Sequence, residues 1–389
     1  MSGVAVGKEY FTGLTSLRAI AALGVLIGHV EQIRLNLHLQ NNLHLAFYKG
    51  ISGHLSVLLF FVLSGFLITF LLLKEAKEKK GINIRNFYLR RALRIYPIYY
   101  LMVVLCFTFA LLWGDYFNSS QSSSNILKGL LWFLLIAPNI RKVIGGSPDQ
   151  YGIVRVTGTE HLWSIGAENQ FYIIWPYLLR LMKKYIIYTL FLLFLFFTFF
   201  YRLYYYLYFN FFYVTLPVEI HNLIVYIIHG SMMNAMVMGS IGAWLYLEKK
   251  NLLSFFSGRV VELILILCIF PLWFLGIELG DFSDGIYSVL FSLLIINMVI
   301  NDSNFFWIKN RVWNFLGRIS YGIYIYHWIV IFIWLKVLNK LGCAENFIID
   351  NIYIYAGSIG MTILVAFFSY TYLESWFLKL NARVFCRKK

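Results

Sequence analysis

The chain has 389 residues, of which 60% are hydrophobic and only 13% are charged. Because a soluble domain is about half apolar, this composition excludes an ordinary soluble protein and indicates several transmembrane segments. Short basic loops between apolar segments carry the formal net charge of +15. Lysine and arginine in such loops orient a membrane protein and contact acidic lipid headgroups. We therefore expect membrane lipids, and no nucleic acid, among the partners.

The apolar segments predict an all-α fold, a polytopic membrane helix bundle. About ten segments are long enough to cross a bilayer, whereas segment 126–140 is short and is expected to be re-entrant or interfacial. The alternation typical of a membrane β-barrel is absent from the sequence. We expect residues 1–389 to form a single integral-membrane domain with no separate soluble domain. The expected spans lie near residues 14–34, 54–73, 95–114, 161–182, 185–206, 219–247, 260–277, 285–300, 315–337 and 351–373.

The distribution of basic residues predicts the topology. The most basic loop, 74–95, contains eight lysines and arginines, and the positive-inside tendency places it in the cytoplasm. Ten crossings with both termini cytoplasmic fit this assignment and leave residues 115–160 outside. An arrangement with eleven spans is the main alternative. The four cysteines lack the spacing of a zinc site or a disulfide framework, so no metal is expected.

Two residues that are energetically unfavourable inside a membrane lie on the first predicted span. Arg18 and His29 are eleven positions apart, which places them on one helix face, about 16 Å apart along the axis. Charged and titratable side chains inside a membrane helix usually have a function. His29 is suited to be a general base because the unperturbed pKa of imidazole lies near neutral pH. The alternative is a histidine that reaches the membrane interface.

Arg91 and Arg94 form an Arg-x-x-Arg pair at the start of the third predicted span. Residues three apart share a helix face, and guanidinium groups bind phosphate through two parallel hydrogen bonds. We expect this pair to bind the phosphates of an acyl donor. The alternative is that both arginines only set the topology of the neighbouring spans.

His161 and Glu168 are seven residues apart on the fourth predicted span, so they share a face. Counting from the outer end of each helix places Glu168 at a depth similar to that of His29. We expect the carboxylate to orient and stabilise the His29 imidazole, with Tyr172 lining the same cavity. In the alternative, Glu168 forms a structural pair with an arginine such as Arg18.

Two further segments carry polar residues within apolar sequence. Ser64 and Gly65 lie mid-helix, where small residues more often serve helix packing than a serine nucleophile. Ser320 and His327 share a face of a later span. His327 is expected either to be packed and satisfied or to line a substrate cavity.

Taken together, these segments resemble the acyltransferase 3 family of bacterial membrane O-acyltransferases. The resemblance implies transfer of an acyl group, usually acetyl, from cytoplasmic acyl-CoA to a sugar hydroxyl outside the bacterial inner membrane. The Arg-x10-His motif of the family matches Arg18 and His29, and its Arg-x-x-Arg motif matches Arg91 and Arg94. The segments that carry the resemblance are LTSLRAIAALGVLIGHV, FFVLSGFLIT, RNFYLRRALRIYP, HLWSIGAENQFYIIWP, LGRISYGIYIYHW and YLES.

The tryptophan, serine and glutamate of the family's WS...E motif match Trp163, Ser164 and Glu168. The chain departs from the family pattern at two positions, since Asn169 replaces a second glutamate and Gly166 replaces a frequent second serine.

The expected donor is acetyl-CoA, as a co-substrate, and the expected acceptor is a saccharide or a lipid-linked saccharide. The expected site residues are His29, Glu168 and Arg18 for catalysis, Arg91, Arg94 and Arg18 for the donor, and His161, Trp163, Ser164, Tyr172 and His327 for the acceptor. Two other functions are kept as alternatives: a transporter or flippase for a lipid-linked saccharide, and a structural or sensor membrane protein.

Overall fold

The computed structural model describes residues 11–43, 53–114, 123–140, 156–182, 185–212, 216–256, 258–277, 279–301, 310–342 and 347–386. Within these ranges the chain forms helices joined by turns, without a β-strand. The helices are α1 (Thr12–Asn36), α2 (Gly53–Lys79), α3 (Ile84–Leu112), α4 (Ser123–Leu134), α5 (Trp163–Met182), α6 (Ile186–Leu207), α7 (Val218–Val225), α8 (Met233–Glu248), α9 (Arg259–Phe274), α10 (Ser283–Ile300), α11 (Arg311–Arg318), α12 (Ser320–Lys340), α13 (Phe347–Ser369) and α14 (Ser375–Cys386).

The predicted all-α, polytopic fold is confirmed. Eight helical stretches among the described residues are long and apolar enough to cross a membrane. Two other expected spans are helical but do not meet that standard. One is α9, which has only 16 residues. The other is α5, which has 20 residues and carries Glu168, Asn169 and Gln170 within its first half. Whether these two helices cross the bilayer stays a prediction.

Segment 126–140 forms the short helix α4, followed by a turn. Its 12 residues extend about 18 Å, whereas the hydrocarbon core of a bilayer is about 30 Å thick. Tyr99 and Tyr100 of α3 donate hydrogen bonds to the carbonyls of Phe133 and Leu134 at its carboxyl end. The helix is therefore held against α3 and is too short to cross. Residues 115–122 and 141–155 of the predicted outer segment 115–160 lie outside the described residues.

The first helix lies at the centre of the bundle, where α1 packs against α2, α10, α11, α12 and α13. Helices α2 and α8 approach each other closely. A Cβ atom on Gly65 would collide with the backbone of Met236, and one on Gly239 would collide with the backbone of Val62. Small residues at such positions let helix backbones touch. Gly65 therefore serves packing, as predicted, and its neighbour Ser64 points to the other side of α2.

A buried polar cluster fixes the end of α1, immediately beyond His29. Arg34 and Glu31 form an ion pair at 2.9 Å, with side chains only 4% and 1% exposed. Arg34 also donates to Asn351 of α13 at 2.7 Å, and Tyr355 of α13 donates to Glu31 at 2.5 Å. The backbone N–H of Asn42 completes the cluster on Glu31. These bonds hold the carboxyl end of α1 against α13.

Candidate active site: an arginine-lined cavity beside a histidine cluster

A cavity of about 180 Å³ lies between α1, α2, α3, α5 and α12. Along α2 its lining extends from Leu71 to Val57, a distance of about 21 Å at 1.5 Å per residue. The cavity is therefore long and narrow. It is lined by Arg18, Val57, Phe60, Phe61, Leu63, Ser64, Leu67, Ile68, Leu71, Arg91, Arg94, Ile95, Ser164, Ile165, Glu168, Tyr172, Ser320, Tyr321 and Tyr324.

Three arginines meet in this cavity, as their helical spacing predicted for Arg91 and Arg94. Arg91 lies over the Tyr172 ring at 5.4 Å, and Arg94 is exposed and marks the cavity mouth. Arg18 joins them from α1, and its charge interacts with those of Arg94 and Glu168. Three guanidinium groups face a single carboxylate of the lining, so the cavity carries an excess of positive charge.

The Glu168 carboxylate accepts hydrogen bonds from the Ser64 hydroxyl and the Tyr172 hydroxyl. The bond from Ser64 connects α5 to α2, the bond from Tyr172 lies within α5, and the carboxylate lines the cavity. The expected contact between Glu168 and His29 is wrong, because the side-chain partner of His29 is His327. The alternative pair with Arg18 is not formed either: both residues line the cavity, but the part of the chain that the structure describes contains no ion pair between them.

His29 belongs to a cluster of three histidines from three different elements. Its Nδ1 lies 2.7 Å from Nε2 of His327 in α12, and Nδ1 of His327 lies 2.6 Å from the backbone oxygen of Tyr324. A carbonyl oxygen only accepts, so Nδ1 of His327 carries the proton and its Nε2, in the neutral ring, is an acceptor. Nδ1 of His29 then donates, and Nε2 of His29 holds a lone pair. This arrangement fixes the tautomer that a general base requires.

The free edge of the His29 ring faces the first turn of α2. A Cβ atom on Gly53 would lie 3.6 Å from Nε2 of His29, so glycine at this position leaves room beside the nitrogen. The Trp328 ring packs against the other side of the imidazole, with centroids 4.6 Å apart. The His29 ring therefore contacts Trp328, and its Nε2 edge lies next to Gly53 at the start of α2.

His161 is the third member of the cluster. It lies in the helical turn Glu160–Leu162, is 1% exposed, and its ring centroid is 4.6 Å from that of His327. Neither ring nitrogen has a hydrogen-bond partner among the described residues. No group of three or more histidine, cysteine, aspartate or glutamate side chains in those residues is arranged to hold a metal ion. Within the cluster the His327 ring contacts the rings of both His29 and His161.

The cavity and the cluster lie end to end. The cavity lining on α2 ends at Val57, and Gly53, beside Nε2 of His29, is one helical turn or about 6 Å further along. Tyr324 belongs to both, since its side chain lines the cavity and its backbone oxygen holds His327. His29 itself is not part of the cavity lining.

Four of the five residues predicted for the acceptor divide between these two regions. Ser164 and Tyr172 line the cavity, whereas His161 and His327 lie in the cluster. Trp163 lines neither, since its ring packs edge-on against Phe61 with centroids 6.3 Å apart. Arg18 lies with the arginines, about 16 Å along α1 from His29.

Sequence reasoning missed Tyr321 and Phe60, and it gave no role to Tyr324. Tyr321 lines the cavity and donates a hydrogen bond to the Ile95 carbonyl of α3 at 2.7 Å. Ser320, Tyr324 and His327 recur at helical spacing on α12. That spacing is the signal from which Tyr324 could have been found.

The structure accounts for one departure from the family pattern. A Cβ atom on Gly166 would collide with the side chain of Asn139, which is 1% exposed. The Asn139 amide exchanges hydrogen bonds with Gln170 at 3.0 and 3.2 Å and donates to the Tyr226 hydroxyl at 2.5 Å. Glycine at position 166 therefore makes space for this buried network.

At the second departure, Asn169 accepts a hydrogen bond from the Tyr96 hydroxyl at 3.1 Å. Asn169 is absent from the cavity lining. The amide therefore ties α5 to α3 outside the cavity, and among the described residues Glu168 is the only carboxylate of the lining.

Comparison with known proteins supports the family resemblance. A protein of Staphylococcus aureus (strain COL), provisionally named O-acetyltransferase SACOL0978, is 27% identical over 396 residues, which cover 95% of this chain and 58% of that protein. O-acetyltransferase OatA of Staphylococcus aureus (strain NCTC 8325 / PS 47) is 24% identical over 409 residues, covering 97% and 58%. The chain thus spans little more than half the length of these relatives. No solved structure matches the chain.

The family model described as an acyltransferase domain matches residues 11–371. This range contains the whole cavity lining and all three histidines of the cluster. The chain therefore belongs to the acyltransferase 3 family.

Proposed function

We propose that this chain is a membrane O-acyltransferase, in the simplest case an O-acetyltransferase, that transfers an acyl group from acyl-CoA to a hydroxyl of a cell-envelope or exported saccharide. The observation that carries the proposal is the end-to-end alignment of the arginine-lined cavity with His29. One region is suited to an anionic donor, and the other holds a general base.

The charges of the cavity favour the donor. Phosphate binds guanidinium groups through strong, charge-assisted hydrogen bonds, and Arg91 and Arg94 lie where the cavity opens. Beyond them the walls along α2 are mostly apolar, which suits an uncharged acyl-carrying arm. We assign Arg18 to donor binding instead of the reacting carbonyl, because about 16 Å of helix separate it from His29.

The histidine cluster supplies the proton transfer. In the proposed step, Nε2 of His29 takes the proton of the acceptor hydroxyl, and the oxygen attacks the acyl carbon of the thioester. The new C–O bond forms, the C–S bond breaks, and the CoA thiolate takes the proton from the imidazolium. His327 holds the His29 ring in the tautomer that this step requires. General base catalysis of this kind contributes about 10²–10⁴-fold to a rate.

Glu168 has a different role from the one predicted from its depth. Its bonds to Ser64 and Tyr172 place its negative charge among the three arginines. A carboxylate there limits the repulsion between like charges when the cavity is empty. We propose that Glu168 offsets part of the positive charge of the donor site, and that His327 orients the His29 ring.

Basic residues near the ends of α2 and α8 support an orientation of the chain in the membrane. An ion pair between Lys77 and Glu248 at 2.8 Å places the ends of α2 and α8 on one face, beside Lys249 and Lys250. The positive-inside tendency assigns this face to the cytoplasm, where acyl-CoA is available. We propose a bacterial inner-membrane protein with cytoplasmic termini, whose acceptor reaches His29 from the opposite face.

The test is acetyl transfer by the purified chain in lipid nanodiscs. Acetyl-CoA labelled in the acetyl group is mixed with envelope saccharides from a host strain that lacks the gene, and base-labile label on the saccharide is counted. We expect transfer by the wild type and by His221→Ala, a control histidine that packs on Tyr208. We expect His29→Ala to bind acetyl-CoA but to transfer none.

Transfer at the wild-type rate by a folded His29→Ala variant would overturn the mechanism. Absence of transfer by the wild type, together with movement of labelled saccharide across proteoliposomes, would favour a transporter instead.

A further inference from the structure

The Tyr324 ring lies between the arginine-lined cavity and the histidine cluster. On the cavity side its centroid is 5.7 Å from that of Phe60, which also lines the cavity. On the other side its centroid is 5.3 Å from that of His161 and 5.7 Å from that of His327. The ring therefore contacts a residue of the cavity lining on one side and two histidines of the cluster on the other.

Two polar contacts hold the ring in this position. The Tyr324 hydroxyl lies 2.5 Å from Oγ of Ser164 and 3.1 Å from the backbone oxygen of His161, to which it can donate. The hydrogen bond between Tyr324 and His327 uses the backbone oxygen of Tyr324 instead. Rotation of the Tyr324 side chain would therefore leave the hydrogen bonds that orient His29 in place.

We propose that the Tyr324 side chain is a barrier that separates the acyl donor from His29 and turns away before transfer. This inference rests on the proposed function. A barrier has a chemical benefit here, because a general base activates water as readily as a saccharide hydroxyl. When the barrier is lost, the oxygen of water attacks the acyl carbon and the C–S bond breaks. The proton that His29 takes from the water passes to the thiolate, which yields acetate and CoA.

The first experiment measures release of free CoA thiol from acetyl-CoA without any acceptor. We expect Tyr324→Ala to raise this hydrolysis at least fivefold over the wild type, and the double variant with His29→Ala to abolish the increase. Tyr324→Phe keeps the ring and removes both hydroxyl contacts, so we expect a smaller rise. Tyr326→Ala is the matched control. Its ring is on the same helix but outside the cavity lining, and its hydroxyl bonds to Ser369.

The second experiment needs no acyl transfer. A thiol is introduced by His29→Cys, and membrane vesicles are treated with a membrane-impermeant thiol reagent from the face on which an Arg94→Cys variant is labelled. The signal of the unsubstituted chain is subtracted. We expect slow labelling of His29→Cys alone or with Tyr326→Ala, and labelling at least tenfold faster with Tyr324→Ala.

Equal labelling in the Tyr324→Ala and Tyr326→Ala backgrounds would overturn the barrier, whatever the transfer assay gives. Hydrolysis that rises equally in both variants would do the same. If the wild type transfers no acetyl group in the presence of acceptor, the proposed function fails, and the labelling rates still decide whether Tyr324 closes the cavity.

Discussion

Replacing His327 with alanine is expected to slow acetyl transfer without weakening the binding of the donor. The substitution removes the acceptor of the bond from Nδ1 of His29, which spans 2.7 Å. A buried donor left without a partner costs about 1–3 kcal/mol, and about 1.4 kcal/mol corresponds to a factor of ten in rate. We therefore expect kcat to fall about 5- to 150-fold. KM for acetyl-CoA should stay within about twofold. His327 does not line the cavity, so its loss removes no contact that binds the donor equally in the ground state and the transition state.

The assay is acetyl transfer with purified variants at several acetyl-CoA concentrations, so that kcat and KM are separated. His327→Gln is the informative companion variant, since its amide oxygen can still accept a hydrogen bond from His29, and it should retain more activity than His327→Ala. Tyr326→Phe controls for changes in the packing of α12. An unchanged kcat in His327→Ala, or a raised KM with constant kcat, would refute the role of His327 in orienting the base.

Four other substitutions have defined outcomes. Arg91→Gln and Arg94→Gln should each raise KM for acetyl-CoA about 10-fold or more, since a hydrogen bond to a charged group contributes about 1.5–3 kcal/mol. Arg85→Gln is the exposed control and should leave KM unchanged. A KM that is also unchanged in Arg91→Gln and Arg94→Gln would contradict donor binding at the pair. Arg34→Met leaves Glu31 buried without its cationic partner and should cost about 3–5 kcal/mol, seen as a lower unfolding temperature in detergent, whereas exposed Arg311→Met should leave that temperature unchanged. Gly65→Leu should sharply reduce the yield of monodisperse protein, because the new side chain would collide with the Met236 backbone. Gly81→Ala is the control and should give a normal yield, because Gly81 has open space around it. Equal yields of the two variants would contradict the close packing of α2 and α8.

Features within one helix could be predicted from the sequence. Arg91 and Arg94 share the cavity because residues three apart share a face, and the packing role of Gly65 follows from its small size in an apolar helix. The all-α bundle followed from the length of the apolar segments. In each case the prediction rests on the geometry of one helix.

Contacts between helices could not be predicted in the same way. The bond between His29 and His327 joins residues 298 positions apart, and no spacing relates the faces of two separate helices. Glu168 does not contact His29, because a similar depth in the membrane does not specify the direction in which each side chain points. Helix α5 packs chiefly against α2, α3 and α6, so the carboxylate on its cavity side meets Ser64 of α2 instead of His29 of α1.

A structure of the chain with a stable thioether analogue of acetyl-CoA would test the central claim most directly. The account predicts that the phosphates of the analogue lie on Arg91 and Arg94, that its arm follows α2 toward Val57, and that the Tyr324 ring has turned away. The carbon that replaces the acyl carbon should then lie within about 3.5–5 Å of Nε2 of His29, leaving room for a hydroxyl between them. Phosphates bound elsewhere, or an acyl end directed away from His29, would contradict it.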